Sequence, residues 1–293
     1  MRKFFVLFSL LALAAQPAVA ATSPFLQSIE HQLVRMDASK PGDFGVAALD
    51  LRTGEMISVN GDDPFPMAST VKIAVAANYL AQVEYGRRSL DDRIRGRSAR
   101  DLMEAMLIHS NNHATDVLID DLGGPDRIQE WLDQRGIKGL RIDRNIAQLL
   151  RAKRDLWDIR DSSTPEAMVE LLRRIDKGEL LQPWSRDYLL GLMARCQTGR
   201  NRIRALLPKG TPVAHKTGTL NGLTTDVGII TMPDGRRVAV AFFARGGSNR
   251  PRTIANAARA IYDGFYNLWR YSFSAAVGAT TATGASAVAV PQR

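Results

Sequence analysis

One cysteine, Cys196, stands among 293 residues. An internal disulfide and a thiolate cage for zinc are therefore excluded, and stability must come from packing. A lone cysteine in such a chain reads first as a small buried hydrophobe. Histidine is almost as scarce. Among His31, His109, His113 and His215, the pair His109 and His113 has the spacing that shares a helix face, but without the intervening glutamate of a metalloprotease helix. We expect neither metal nor cofactor. Long apolar runs are missing too: after basic Arg2 and Lys3, the opening stretch is cut at Gln16 and Pro17, short of the roughly twenty residues a membrane span needs. With Ala18-Val19-Ala20 closing it, residues 1–20 read as a secretory signal cleaved after Ala20. The expectation is a secreted, periplasmic protein without stable membrane insertion, monomeric by default. The net charge of +9 falls to +7 without Arg2 and Lys3. The cations Arg93, Arg95, Arg97, Arg100, Arg151, Lys153 and Arg154 are scattered and not interleaved with aromatics, which argues against a nucleic-acid partner.

At 45% hydrophobic and 24% charged residues, the chain can bury one large core or two coupled ones. Phe25, Ile29, Leu33 and Met36 recur at helical spacing. Gly45 to Asp50 and Met56 to Val59 flank Arg52-Thr53-Gly54-Glu55 as two strands of a hairpin. From Ser69 to about Leu171 the pattern is helical, punctuated by glycines. Strands return at 213–217, 226–231 and 238–243, the last two joined by Pro233-Asp234-Gly235. A final helix is expected over about 252–271. Strands at both ends with helices between predict an α/β protein of the α+β kind: an antiparallel sheet flanked by N- and C-terminal helices, with an inserted all-helical domain. The expected boundaries are 21–62 with 198–272 for the sheet domain and 63–197 for the insert. Residues 273–293, poor in bulky side chains, are expected to be a disordered tail.

Three short motifs carry the chemistry. Ser69-Thr70-Val71-Lys72 opens an apolar helical stretch. A serine hydroxyl is a weak nucleophile until a base or a positive setting activates it, and Lys72, three residues on, shares a helix face with Ser69. Ser110-Asn111-Asn112 offers a second hydroxyl to relay a proton and an amide, Asn112, to hold a substrate amide. Taken alone, Ser110 reads first as a cap for a helix over 111–120. Lys216-Thr217-Gly218-Thr219 places a cation and two hydroxyls suited to a carboxylate on a strand, with Gly218 allowing close approach of a substrate. Backbone N–H groups of Ser69 and Thr219 could form an oxyanion hole, at about 3 kcal/mol per donor.

In this order and spacing the motifs resemble the class A β-lactamases. The likeness extends to Asp158 through Pro165 and to Leu206-Leu207-Pro208-Lys209-Gly210, spanning about Phe25 to Tyr271. It implies a serine hydrolase of the β-lactam amide, with the site between two domains. Ser69 is then acylated, Lys72 helps activate it and Ser110 relays the proton. Asn112 binds the acylamino side chain, and Lys216, Thr217 and Thr219 hold the carboxylate of a small β-lactam substrate. Two departures accompany the likeness. Asn111 replaces an aspartate common in the second motif. The loop glutamate accepted as the deacylation base has no counterpart: counting from Ile142-Asp143-Arg144 the position falls on Ile146, counting back from Arg160-Asp161 on Gln148. Glu166 lies beyond the helix start at Thr164-Pro165, leaving Asp143, Asp155 and Asp158 as substitutes to consider. Loss of such a base costs ~10²- to 10⁴-fold in its step. A slow-turnover hydrolase, a penicillin-recognising sensor forming a stable adduct, and an esterase or peptidase of the same architecture all fit that reading.

Overall fold

A computed structural model describes residues 23–38, 41–153 and 155–283, so the signal-like segment 1–20 lies outside the described residues. Helix α1 (Pro24–Ala38) leads into β1 (Asp43–Asp50) and β2 (Met56–Val59), the antiparallel hairpin expected from the Gly54 turn. A two-residue strand, β3 (Phe65–Pro66), enters a 3₁₀ turn at Ala68–Val71, which passes directly into α2 (Lys72–Glu84). The helical stretch is interrupted by a small hairpin, β4 (Arg93–Ile94) and β5 (Arg97–Ser98). It continues through α3 (Ala99–Ile108), α4 (Asn112–Asp121), α5 (Pro125–Gln134) and α6 (Ile146–Arg151). Strand β6 (Ser162–Ser163) pairs with β3, and α7 (Pro165–Asp176) and α8 (Pro183–Ala194) complete the helices. The two-residue strands carry no alternation a sequence pattern could reveal.

The late strands are β7 (Val213–Leu220), β8 (Leu223–Thr231) and β9 (Arg237–Arg245). They join the early hairpin in one antiparallel sheet of order β2-β1-β9-β8-β7. Alternate residues of each strand feed two cores. Val46, Ala48, Val240 and Phe242 pack toward α1 and α9 (Arg250–Thr283), whereas Ala47, Leu49, Ala241 and Phe243 pack toward α2 and α7. Burial on both faces is why these strands read as near-continuous apolar runs.

One expectation is corrected at the C-terminus. The last helix runs to Thr283, past the expected end near Tyr271, so residues 273–283 are helical and not an irregular tail. Alanine is the strongest helix former, and no proline interrupts the stretch. Residues 284–293 fall outside the described set.

Helix α2 is buried through Leu80, with Ile73, Ala74, Val75, Ala76 and Ala77 fully enclosed. A helix apolar all round belongs inside a core, and this one holds the turn bearing Ser69 rigidly against the edge strand β7.

Candidate active site

Ser69 sits half-buried in the 3₁₀ turn, and Lys72, the first residue of α2, is fully buried. The turn is set by an unusual backbone: Ala68 has φ +49, a conformation that costs non-glycine residues of order 1–3 kcal/mol and clusters at functional sites. Met67 fixes the turn on both sides. Its N–H donates to the Asp161 carbonyl at 2.9 Å, and its carbonyl accepts from Thr70 N at 3.1 Å and Thr70 Oγ1 at 2.8 Å.

The second motif adopts two conformations in succession. Ser110 has φ +58, which turns both its carbonyl and its hydroxyl toward Lys72. Asn111 is extended and caps α4, its side chain accepting from Ala114 N at 2.8 Å. The capping role that sequence alone left open for Ser110 therefore belongs to Asn111, and amide for carboxylate at this position preserves the cap. Ser110 is left free to face the site.

Lys72 Nζ donates to the Ser110 carbonyl at 2.8 Å, to Asn112 Oδ1 at 2.8 Å and to Ser110 Oγ at 3.2 Å. These bonds, and none to Ser69, engage the amine. Lys216 Nζ, on fully buried β7 backbone, donates to the same Ser110 Oγ at 2.9 Å and to the Thr217 carbonyl at 2.8 Å. One hydroxyl thus joins two lysines. Burial pushes Lys72 down to about 7, helped by repulsion from Lys216 and opposed by Asp116. Burial likewise brings Lys216 down to about 8. A neutral Lys72 can donate to the two carbonyl-type oxygens, Ser110 O and Asn112 Oδ1, and keep its lone pair for a proton, while Ser110 Oγ accepts from the Lys216 ammonium.

Thr217 Oγ1 lies 2.5 Å from Thr198 Oγ1, and Thr219 is exposed. A Cβ at Gly218 would overlap Thr225 Oγ1 and lie 2.8 Å from Met67 O and 3.0 Å from Ala68 Cβ, so the missing side chain admits the Ser69 turn. Behind the strand, Arg202 donates to Thr219 Oγ1 at 2.6 Å, the Gly218 carbonyl at 2.9 Å and the Thr225 carbonyl at 2.7 Å. Sequence reading missed it among the arginines of 200–204, because nothing in their spacing ranks one above the others. Arg245 donates to Asp43, Pro64 O and Leu156 O and lies over the Phe65 and Trp157 rings. Arg250 is spent on the carbonyls of Gly246 and Gly247.

Cys196 is buried, 3.3 Å from Thr198 Oγ1. Residues 28–265 match the model of a family described as beta-lactamase enzymes. The chain belongs to the class A β-lactamases. Beta-lactamase OXY-2 of Klebsiella oxytoca is 30% identical over 86% of this chain and 95% of its own length. Extended-spectrum beta-lactamase PER-1 of Pseudomonas aeruginosa is 29% identical over 83% and 88%. Among solved structures, a reconstructed last common ancestor of Gram-negative class A enzymes (GNCA4) superposes with TM-score 0.77 at 33% identity, covering 81% of this chain and 99% of that one.

The loop over 143–161 carries both positions, Ile146 and Gln148, onto which the resemblance places a glutamate. Ile146 is buried, and Gln148 is exposed with its side chain turned back to Asn145 N at 2.9 Å in a capping box. Neither can accept a proton at the site. Asp143 pairs with Arg141, and exposed Asp155 accepts from Trp157 N. Asp158 is held down to about 2 by the hydrogen bonds of Arg160, too weak a base to activate water. Glu166 accepts from Ser58 Oγ at 2.6 Å, tied to β2. The loop is clamped by Arg144 Nε on Asp161 Oδ2 at 2.5 Å, with Asp143 N and Arg144 N donating to Asp161 Oδ1.

Proposed function

We propose that this chain, a serine β-lactamase by its family and named relatives, hydrolyses the β-lactam amide through an acyl-enzyme on Ser69. Neutral Lys72 takes the Ser69 proton, and Ser110 passes a proton from the lysine pair to the departing ring nitrogen. The observation that carries this reading is the bridge of Ser110 Oγ, 3.2 Å from Lys72 Nζ and 2.9 Å from Lys216 Nζ. A hydroxyl so placed can give one proton and receive another without moving.

Lys216, Thr217, Thr219 and, added from the structure, Arg202 supply the charge and hydroxyls that hold the substrate carboxylate. Asn112 orients the acylamino group, and the N–H groups of Ser69 and Thr219 stabilise the oxyanion. The signal-like start supports export to the periplasm, and no helix among the described residues is long and apolar enough to cross a membrane. The helices between β2 and β7 form a unit set on the sheet, with boundaries near 63–197.

The engagement of the loop carboxylates favours a second feature: deacylation slower than acylation. Steady-state hydrolysis of a penicillin and a cephalosporin by wild type, Ser69→Ala and Ser110→Ala tests the assignment. Ser69→Ala should abolish turnover, and Ser110→Ala should lower it ~10²-fold or more. Undiminished hydrolysis by Ser69→Ala would contradict it.

A further inference from the structure

The loop that lacks a catalytic glutamate is held by a carboxylate from elsewhere. Asp116 Oδ1 accepts from Ile146 N at 2.7 Å and Asp116 Oδ2 from Ala147 N at 2.9 Å. Ile146 is one of the two positions onto which the missing glutamate aligns. On α4, Asp116 follows Asn112 by four residues and so shares its face, and Asn112 Oδ1 is a hydrogen-bond partner of Lys72 Nζ. Asp116 therefore ties the first turn of α6 to the helix face that carries Asn112, the partner of Lys72. We propose that Asp116 is the carboxylate of this active site: a positioning residue that fixes the start of α6 and balances the charge of Lys72, so that Lys72 accepts the proton in both half-reactions without a loop glutamate.

Three observations lead there. The four loop carboxylates have other partners: Asp143, Asp158 and Asp161 pair with arginines and Asp155 accepts from a backbone N–H. The residues at the aligned positions are apolar or turned outward. The cluster also concentrates cations, with Lys72, Lys216 and Arg202 buried or half-buried together, and the negative charge of Asp116 works against the lowering of Lys72 by burial and by Lys216. The charged groups bearing on Lys72 are Lys216 from β7 and Asp116 from α4. Arg144 of the loop is neutralised by Asp158 and Asp161.

The proposal rests on Ser69 as nucleophile, and its test separates the two. Acylation and turnover of a penicillin are measured from pH 5 to 9 for wild type, Asp116→Asn, Asp116→Ser and Asp116→Glu, with the adduct mass mapped in the same samples. Asn and Ser keep an oxygen for the α6 N–H groups but lose the charge. Removing a nearby negative charge lowers the basicity of Lys72, so the acid limb should move down by roughly one pH unit or less. The alkaline plateau should fall as well, a weaker base being a poorer proton acceptor. Asp116→Glu should restore the wild-type limb. Should the amide variant fail to fold, the serine variant reads the same shift. A limb that stays in place or moves up in a folded, uncharged variant overturns the proposal. Absence of an adduct on Ser69 in the wild type instead overturns the nucleophile assignment.

Discussion

Replacing Gly218 with alanine probes whether the close approach of β7 to the Ser69 turn sets the rate of acylation. The backbone at Gly218 lies outside the positive-φ region, so alanine is conformationally acceptable and the effect is steric. The new methyl would lie 2.8 Å from Met67 O, which cannot turn aside because it accepts from both Thr70 N and Thr70 Oγ1. Restoring van der Waals contact requires the turn to retreat by roughly half an ångström. Overpacking of this kind costs about 1–3 kcal/mol, lowering the thermal midpoint by about 2–4 °C per kcal/mol in a protein of this size. Because a 1 Å misplacement of reacting groups can cost ~10²-fold, acylation should slow by about tenfold. Rapid-quench mass spectrometry reads the acylation rate and circular dichroism the midpoint. A lowered midpoint with acylation within twofold of wild type would show that the contact is packing alone and refute the link to catalysis.

Further outcomes follow from the same geometry. Asp161→Ala leaves Arg144 Nε and two backbone N–H groups without their acceptor, and Arg144 keeps only its 3.4 Å contact with Asp158, so denaturant unfolding should show a loss of about 3 kcal/mol, with proteolysis appearing in the loop; a change below ~1 kcal/mol would contradict the clamp. The profile of kcat/KM against pH should be bell-shaped. Lys72 must be neutral, hence activity rises through about 7, and Lys216 must be charged, hence it falls through about 8; a flat profile from pH 5 to 9 would exclude the lysine pair. Arg202→Ala should raise KM for carboxylate-bearing β-lactams by about tenfold with a smaller effect on kcat; a kcat loss with unchanged KM would place Arg202 elsewhere in the reaction.

The parts of the site legible in the sequence were those whose chemistry is local. Ser69 and Lys72 are three apart, and Lys216 through Thr219 lie along one strand, so residue type and spacing already show a shared face or edge. The sheet was equally readable, because strands buried on both sides leave apolar runs such as Val238 to Phe243. What escaped was created by tertiary approach. Gly218 spares room for a turn some 150 residues away, and Arg202 gains meaning when β7 and β8 bring Thr219 and Thr225 to it. Asp116 resembled any solvated helix charge until α6 folded onto it. Division of labour between Ser110 and Asn111 depends on a positive φ at a serine, which propensity does not foretell. The helix past Tyr271 was obscured by composition, since its small residues suit disorder and helix alike.

Time-resolved intact-protein mass spectrometry with a penicillin, hydrolysed product being quantified in parallel, tests the central claim most directly. The account predicts an adduct that maps to Ser69, accumulates because deacylation lags, and then decays to free protein as product exceeds many equivalents. Product without any Ser69 adduct, or an adduct on another residue, would contradict it.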